Sequence, residues 1–506
     1  MFDRIAKLPL LVILMGIGVL AMLVPGIYGL LVRDHYVGRV FLYGALFFGF
    51  LTSFMALALM GRPRINHPSR HLLALLGLFV ILPLMLAVPF HQAVRNTSFL
   101  NAYVEMVSAL TTTGATLFDD PGRLPDSVHL WRALVGWMGG LFIWVGAIAI
   151  LAPMALGGFE VRAQRTMGAE SRGTSQITHV ADLGQRIRVY GAQLLPVYTG
   201  LTLILWLGLV LAGESPFVAI SHAMSTLATS GISPVGGPGG GNAGVGGELM
   251  LAVFMCFAIS RLTFTRDRMS TDLTSLAADP EVRLAAVLIL AVPGFLFARH
   301  WVGAFEVDEE MNLLAGLASL WGSVFTVLSF LTTTGFESRA WEASQTWSGL
   351  DTPGLILMGL ALVGGGVATT AGGAKLLRVY ALYKHGMREM DKLVHPSSVG
   401  GHGGEARLMR GRGAYMAWVF FMLMTLSVAL VMVLFSLTGE GFESAMVLTI
   451  AALTTTGPLA GIAAVEPISY ADLSTPAKLV LTGAMVLGRL ETLAIVALLN
   501  PETWRG

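Results

Sequence analysis

Charge and cysteine are both scarce in this chain. Only 12% of its 506 residues are Asp, Glu, Lys or Arg, while 55% are hydrophobic, and the mean hydropathy is +0.71. A water-exposed globular surface needs about twice that share of charge, so an ordinary soluble domain is excluded and a bilayer is the expected solvent. The 32 Lys and Arg nearly cancel the 31 Asp and Glu, for a net charge of +1. That balance lacks the basic excess of a nucleic-acid partner. The single cysteine, Cys256, lies in an apolar run. It allows neither a disulfide within the chain nor a cysteine-built metal site.

What the chain does contain is long apolar runs. Stretches of about 20 apolar residues, the length that spans hydrocarbon, fall near 9–31, 40–60, 71–90, 131–157, 190–212, 247–265, 283–302, 353–383, 414–438 and 475–499. About ten spans are expected. Arg4 and Lys7 before the first run resemble a signal peptide, but no small-residue cleavage site follows it, so it reads as a retained first helix.

Between the later runs lie shorter segments, each ending in a hydroxyl-rich word with a glycine: SALTTTGATL (108–117), STLATSGISP (225–234), SFLTTTGFES (329–338) and AALTTTGPLA (451–460). Gly114, Gly231, Gly335 and Gly457 are separated by 117, 104 and 122 residues. That period holds one span, one short segment and a second span, so the unit is helix, half-helix with loop, helix, written four times. The expected fold is an all-α membrane protein with four helix–pore loop–helix repeats in pseudo-fourfold arrangement around one ion pore. The expected divisions are 1–66 (two extra N-terminal transmembrane helices), 67–160, 161–270, 271–400 and 401–506.

If every short segment enters and leaves on one face, the links between repeats share the other face and should be basic where cytoplasmic. Those links and the two termini carry 23 of the Lys and Arg, against 8 on the opposite side, with Arg489 inside a span. The opposite side collects Asp119, Asp120, Asp126, Glu306, Asp308, Glu309, Glu310, Glu440 and Glu443. The loops therefore open outward, at mildly electronegative mouths that concentrate cations.

A potassium ion shedding its water must find replacement oxygens, and four loops of backbone carbonyls supply them without a charged side chain. Glycine lets successive carbonyls face one axis, and Thr or Ser hydroxyls satisfy backbone groups in a dry site. The expected carbonyl rings come from Thr112 and Thr113, Thr229 and Ser230, Thr333 and Thr334, and Thr455 and Thr456, closed by Gly114, Gly231, Gly335 and Gly457. The half-helices would aim their partially negative C-termini at the ion path. One such word carries little weight, because Ser, Thr and Gly also pack membrane helices; four at matching positions carry the reading.

With YVEMVSALTTTGAT, AISHAMSTLATSGISP, LSFLTTTGFES and LGRLETLAIVALLNPETWR, the chain resembles the TrkH branch of the Trk/Ktr/HKT superfamily of potassium transporters over nearly its whole length. The resemblance implies potassium as the transported substrate and a short filter with one glycine per loop, discriminating less sharply than the longer filters of potassium channels. Relatives that favour sodium carry a serine for the first glycine; here all four are glycine. Ala228-Thr229-Ser230 in the second loop departs mildly by moving one hydroxyl. The resemblance also implies a homodimer in the bacterial inner membrane, both termini cytoplasmic, with a separate TrkA-like ring of nucleotide-binding subunits on the cytoplasmic face.

The run from Pro353 is interrupted by Gly364, Gly365, Gly366, Val367, Ala368, Thr369, Thr370, Ala371, Gly372 and Gly373. Each glycine costs a helix about 1 kcal/mol relative to alanine, so a break is expected. Irregular backbone at membrane depth belongs beside a cavity or inside protein; a glycine-rich packing face is the alternative. In TrkH-type proteins a flexible loop of this repeat obstructs the inner pore, which makes this segment the expected gate. Arg489 inside the last run is a functional candidate by its burial in apolar sequence, and the resemblance gives it a cation-repelling role beside the gate; a structural pair with Glu491 or another buried acid is the alternative. Lys375 either shares that role or anchors the topology.

Two nucleotide-like words fail on context. Gly239 to Gly244 satisfies GxGxxG but follows no strand, and Gly372-Gly373-Ala374-Lys375-Leu376 lacks the Gly-Lys-Ser/Thr order of a phosphate loop. No cofactor is expected in this chain. The basic stretch 384–412, with Lys384, Arg388, Lys392, Arg407, Arg410 and Arg412, reads either as a topology anchor or as part of the docking face. A membrane enzyme would need converging acids and histidines, and Glu105 and His222 stand alone in their segments. Channel and coupled carrier share the same filter and stay open.

Overall fold

The structure, a computed structural model, describes residues 8–60, 68–154, 183–260, 279–303, 313–350, 353–395 and 414–492, together with 156, 158, 494 and 495. The repeat boundaries near 66, 160, 270 and 400, the basic residues Arg407, Arg410 and Arg412, and the end of the last run lie outside these residues. Among the described residues every regular element is helical.

The chain opens with an unrepeated pair, α1 (Leu10–Leu31) and α2 (His35–Leu59). Asp34 starts α2 by accepting a hydrogen bond from Val37 N–H. The first repeat begins with α3 (Pro68–Val80) and α4 (Leu82–Ala93), one run broken at Ile81 ahead of Pro83. Its half-helix is α5 (Phe99–Leu110), and its second span is α6 (Asp126–Gly146), which widens into a π-turn at Ala147–Leu151.

The second repeat holds α7 (Leu183–Leu211), the half-helix α8 (Pro216–Ala228) and α9 (Gly244–Met255). The third holds α10 (Pro280–Gly303), the longer α11 (Leu313–Leu331), the short α12 (Trp341–Ser348) and a split second span, α13 (Gly354–Val363) and α14 (Leu376–Val394). The fourth holds α15 (Ala414–Leu437), the half-helix α16 (Phe442–Leu453), the single turn α17 (Leu459–Ile462) and α18 (Thr475–Leu490).

Seven described helices are long and apolar enough to cross a membrane. The second spans of the last three repeats are shorter than the apolar runs predict, and each has a local cause. Helix α9 tightens to a 3-10 turn at Cys256–Ala258, α13 ends at Gly364 with φ +72°, and α18 ends at Glu491 with φ +61°. All four second spans thus become irregular near one end.

Two of the half-helices, α5 and α8, start where a serine caps their first turn. Ser98 accepts from Asn101 N–H and Ser215 from Val218 N–H, with Pro216 at the first position of α8. At 12 residues, α5 and α16 reach about 18 Å by helix rise, well short of the about 30 Å hydrocarbon core. The outer faces of the long helices are apolar and exposed, as at Leu20, Leu46, Phe50, Leu211, Leu290 and Leu437. Buried residues cluster instead around the half-helices and α6, which form the centre of the fold.

Candidate functional site: a ring of four loops and the segment beneath it

The four glycine words follow the C-termini of α5, α8, α11 and α16, and their backbones share one shape. Thr112, Thr229, Thr333 and Thr455 sit at φ +55°, +51°, +57° and +54°. A β-branched residue in the left-handed region is a steric outlier that surrounding structure must hold. Four at one motif position mark a conformation imposed by the site.

In the first three loops the glycine is left-handed as well, with φ of +71° at Gly114, +65° at Gly231 and +80° at Gly335. The fourth differs from the expectation that backbone angle alone demands glycine. Gly457 is not left-handed, since Pro458 turns the chain into α17; its hydrogen faces the first loop, where a Cβ would meet Ala115 Cα at 2.6 Å and Gly114 C at 2.7 Å.

Adjacent loops abut in a closed cycle. A Cβ at Gly114 would strike Ser230 O, one at Gly231 would meet Thr334 O at 2.5 Å, and one at Gly335 would meet Pro458 Cγ at 2.8 Å. Gly457 N–H donates to Thr113 O at 2.6 Å and closes the ring from the fourth loop to the first.

A hydroxyl clamp sits behind the ring. Thr111 Oγ1 lies 2.8 Å from Thr113 Oγ1, Thr332 Oγ1 lies 3.1 Å from Thr334 Oγ1, and Thr454 Oγ1 donates to Thr456 Oγ1 at 3.2 Å. In the second loop Ala228 cannot take part. There Ser230 Oγ pairs with Ser225 Oγ at 3.1 Å, so the departure read from the sequence is compensated from inside α8. Loop exits are tethered too: Glu105 accepts from Leu117 N–H at 3.0 Å, His222 Nε2 meets Ser233 Oγ at 2.8 Å, and Thr326 Oγ1 accepts from Ser338 N–H at 3.3 Å. These residues occupy equivalent positions in their half-helices. Glu105 and His222 are accounted for by the ring, with Glu105 also paired to Arg132 at 2.6 Å.

The segment from Gly364 to Lys375 folds back under the ring and is buried except at the half-buried Gly373 and Ala374. Gly364 and Gly373 approach so closely that a Cβ on Gly373 would meet Gly364 Cα at 2.6 Å. Gly365 O accepts from Leu376 N–H and Gly366 N–H donates to Ala258 O, each at 2.9 Å. Val367 N–H donates to Glu281 Oε1 at 2.9 Å, and the Val367 side chain contacts Gly158. Thr369 Oγ1 bonds back to Gly366 O at 2.8 Å and Thr370 Oγ1 donates to Leu227 O, at the end of α8, at 3.1 Å. Gly372 N–H donates to Thr333 Oγ1 at 2.7 Å. The segment thus touches the irregular ends of the other repeats as well as the ring.

Arg489 is 4% exposed and donates from Nη1 to Thr370 O at 2.7 Å. Its Nε and Nη2 have no hydrogen-bond partner among the described residues. Glu491, weighed from the sequence as its partner, pairs instead with Arg378 at 2.7 Å. Lys375, at φ +80°, is buried, and its Nζ bonds Ala371 O inside the same segment.

Sequence reasoning passed over Arg378, Glu281 and Glu248. Glu248, 2% exposed, accepts from Trp321 Nε1, Ser338 Oγ and Arg339 N–H at 2.8, 2.8 and 2.6 Å. It holds the third loop from α9, and an acid inside an apolar run was the signal that could have found it. On the far side of the ring, Glu337, Arg339, Glu342 and Gly461 help line a cavity of about 580 Å³ that also reaches Pro353 and Gly354. Those two residues start α13 and Gly364 ends it, so cavity and buried segment lie at opposite ends of one helix.

The profile of the TrkH family, described as cation transport protein, matches residues 296–502. The Trk system potassium uptake protein TrkH of Halomonas elongata is 32% identical over 441 residues, covering 85% of this chain and 84% of that protein. The protein of the same name from Escherichia coli strain K12 is 28% identical over 96% of each chain. The crystal structure of the potassium transporter TrkH from Vibrio parahaemolyticus superposes with a TM-score of 0.80 at 25% identity, over 100% of both chains. These likenesses take in the unrepeated N-terminal pair as well as the ring, and with them the chain belongs to the TrkH family, a membrane transport family rather than one of enzymes.

Proposed function

We propose that this chain takes up potassium across a bacterial inner membrane through the ring of four loops. The cyclic abutment of four loops with left-handed threonines, each at the C-terminus of a buried half-helix, is the observation that carries the reading. Carbonyls of Thr112 and Thr113, Thr229 and Ser230, Thr333 and Thr334, and Thr455 and Thr456, with Gly114, Gly231, Gly335 and Gly457, replace the ion's water. Helix dipoles add negative potential at the axis, and the acid-lined cavity supplies the outer mouth.

The segment bearing Gly364, Gly365, Gly366, Thr369, Thr370, Gly372, Gly373 and Lys375 acts as the gate and stands closed against the ring. Arg489 holds it through Thr370 O and adds positive charge that repels a cation on the inner path. Basic links face the cytoplasm, as do both termini, and a TrkA-like nucleotide-binding ring docks there on a homodimer; the amphipathic α14, with Lys384, Arg388 and Lys392, lies on that side. The relatives' printed role in potassium uptake supports the substrate.

The test is growth and rubidium uptake in cells stripped of their own potassium uptake systems and expressing this chain with its partner. Restored uptake supports the reading. Cells that express the protein in the membrane yet gain no uptake of any monovalent cation overturn it.

A further inference from the structure

The four left-handed threonines point to a cation site that the gate itself competes for. Thr112 and Thr455 carry buried hydroxyls with no hydrogen-bond partner among the described residues. A buried hydroxyl without a partner is disfavoured unless something else fills the role, and in a path built for dehydrated cations that role is ligation. Thr229 Oγ1 turns back onto its neighbour Ala228 O at 2.7 Å. Thr333 Oγ1 alone of the four is engaged by the segment below, accepting from Gly372 N–H at 2.7 Å. On its other flank Gly372 stands against the fourth loop, where a Cβ would collide with Thr455 Oγ1.

We propose that the hydroxyls of Thr112, Thr229, Thr333 and Thr455 form the innermost potassium site of the ring, and that the gate closes by placing the Gly372 amide on this site. This rests on the filter reading given above and adds a mechanism to it. The amide presents its positive end to the oxygen a cation would use, so an ion at the site and the closed segment exclude one another. By linkage, an ion that binds only the open arrangement shifts the gate toward opening. Only the third loop is latched in this way, which makes the four threonines unequal despite their matching positions.

The test is rubidium tracer flux through the full-length protein in liposomes, measured against potassium concentration on the gate side. Wild-type flux rises more steeply than single-site saturation as potassium opens the gate. Thr333→Ser keeps that dependence. Thr333→Val removes one neutral hydrogen bond, so flux at low potassium rises several-fold, up to about tenfold, and the potassium dependence flattens. Thr112→Val, which loses a hydroxyl the gate does not touch, weakens apparent ion affinity without raising flux at low potassium.

If Thr333→Val and Thr112→Val behave alike while both still pass rubidium, the latch is wrong and the filter reading stands. If the wild type passes no rubidium, the filter reading itself falls. Should Thr333→Val fail to fold, wild-type flux that follows simple single-site saturation overturns the proposal.

Discussion

Arg378 and Glu491 form a buried ion pair at 2.7 Å, joining α14 to the residue that ends α18. The Arg378 guanidinium also lies 3.7 Å from the centre of the Phe420 ring. The pair fixes the two helix ends between which the buried segment sits, and it leaves Arg489 to hold Thr370 O. Removing one member of a buried pair strands the other and costs about 3–5 kcal/mol. Arg378→Ala is therefore expected to lower thermal stability in detergent markedly, and Phe420→Leu to lower it by less.

Arg489 makes one hydrogen bond to the segment and has two nitrogens without partners among the described residues. Arg489→Gln weakens that hold and removes the charge. The expected outcome is a several-fold rise in rubidium flux in the absence of any cytoplasmic partner, less than the full effect of a charge-assisted hydrogen bond of about 1.5–3 kcal/mol because the glutamine amide can still donate to Thr370 O. Unchanged or reduced partner-free flux in a well-folded variant would contradict the role.

Glu105 joins Arg132 to the exit of the first loop. Glu105→Gln keeps the shape and an acceptor for Leu117 N–H but strands the buried guanidinium. Stability should fall by about 3–5 kcal/mol, and potassium preference over sodium should narrow because the first loop loses its anchor. Denaturation in detergent and competition flux measure the two effects.

Glu337 lines the cavity outside the spanning helices with Arg339 and Glu342, and burial pushes its carboxyl up to about 7. A raised carboxyl is neutral below that value, so the mouth gains a negative charge as pH rises through about 7. Ionisation also opposes folding, with stability lost from the ordinary carboxylate range up to about 7. Cation uptake at low concentration should rise across that window, and Glu337→Gln should remove the step.

The repeats were legible because one word recurs four times, and the break in the third repeat because five glycines crowd one apolar run. Geometry inside the ring was not. A β-branched residue at positive φ runs against local preference, so nothing in LTTTG announces left-handed threonines. Gly457 serves close approach rather than backbone angle because Pro458 follows it, and the Ser225–Ser230 substitute for the missing hydroxyl depends on contacts across α8. Arg378 and Glu491 lie 113 residues apart, and only the fold brings them together.

The proposed potassium selection by the ring is most exposed at Gly335. At φ +80°, with the Pro458 ring 2.8 Å from any added Cβ, Gly335→Ser must distort the third loop. The measurement is rubidium uptake into liposomes holding the purified protein, with sodium as competitor, for wild type and Gly335→Ser. A potassium-selective ring gives wild-type uptake that sodium barely inhibits and a variant that admits sodium. Equal sodium inhibition in both proteins, with both well folded, would contradict it.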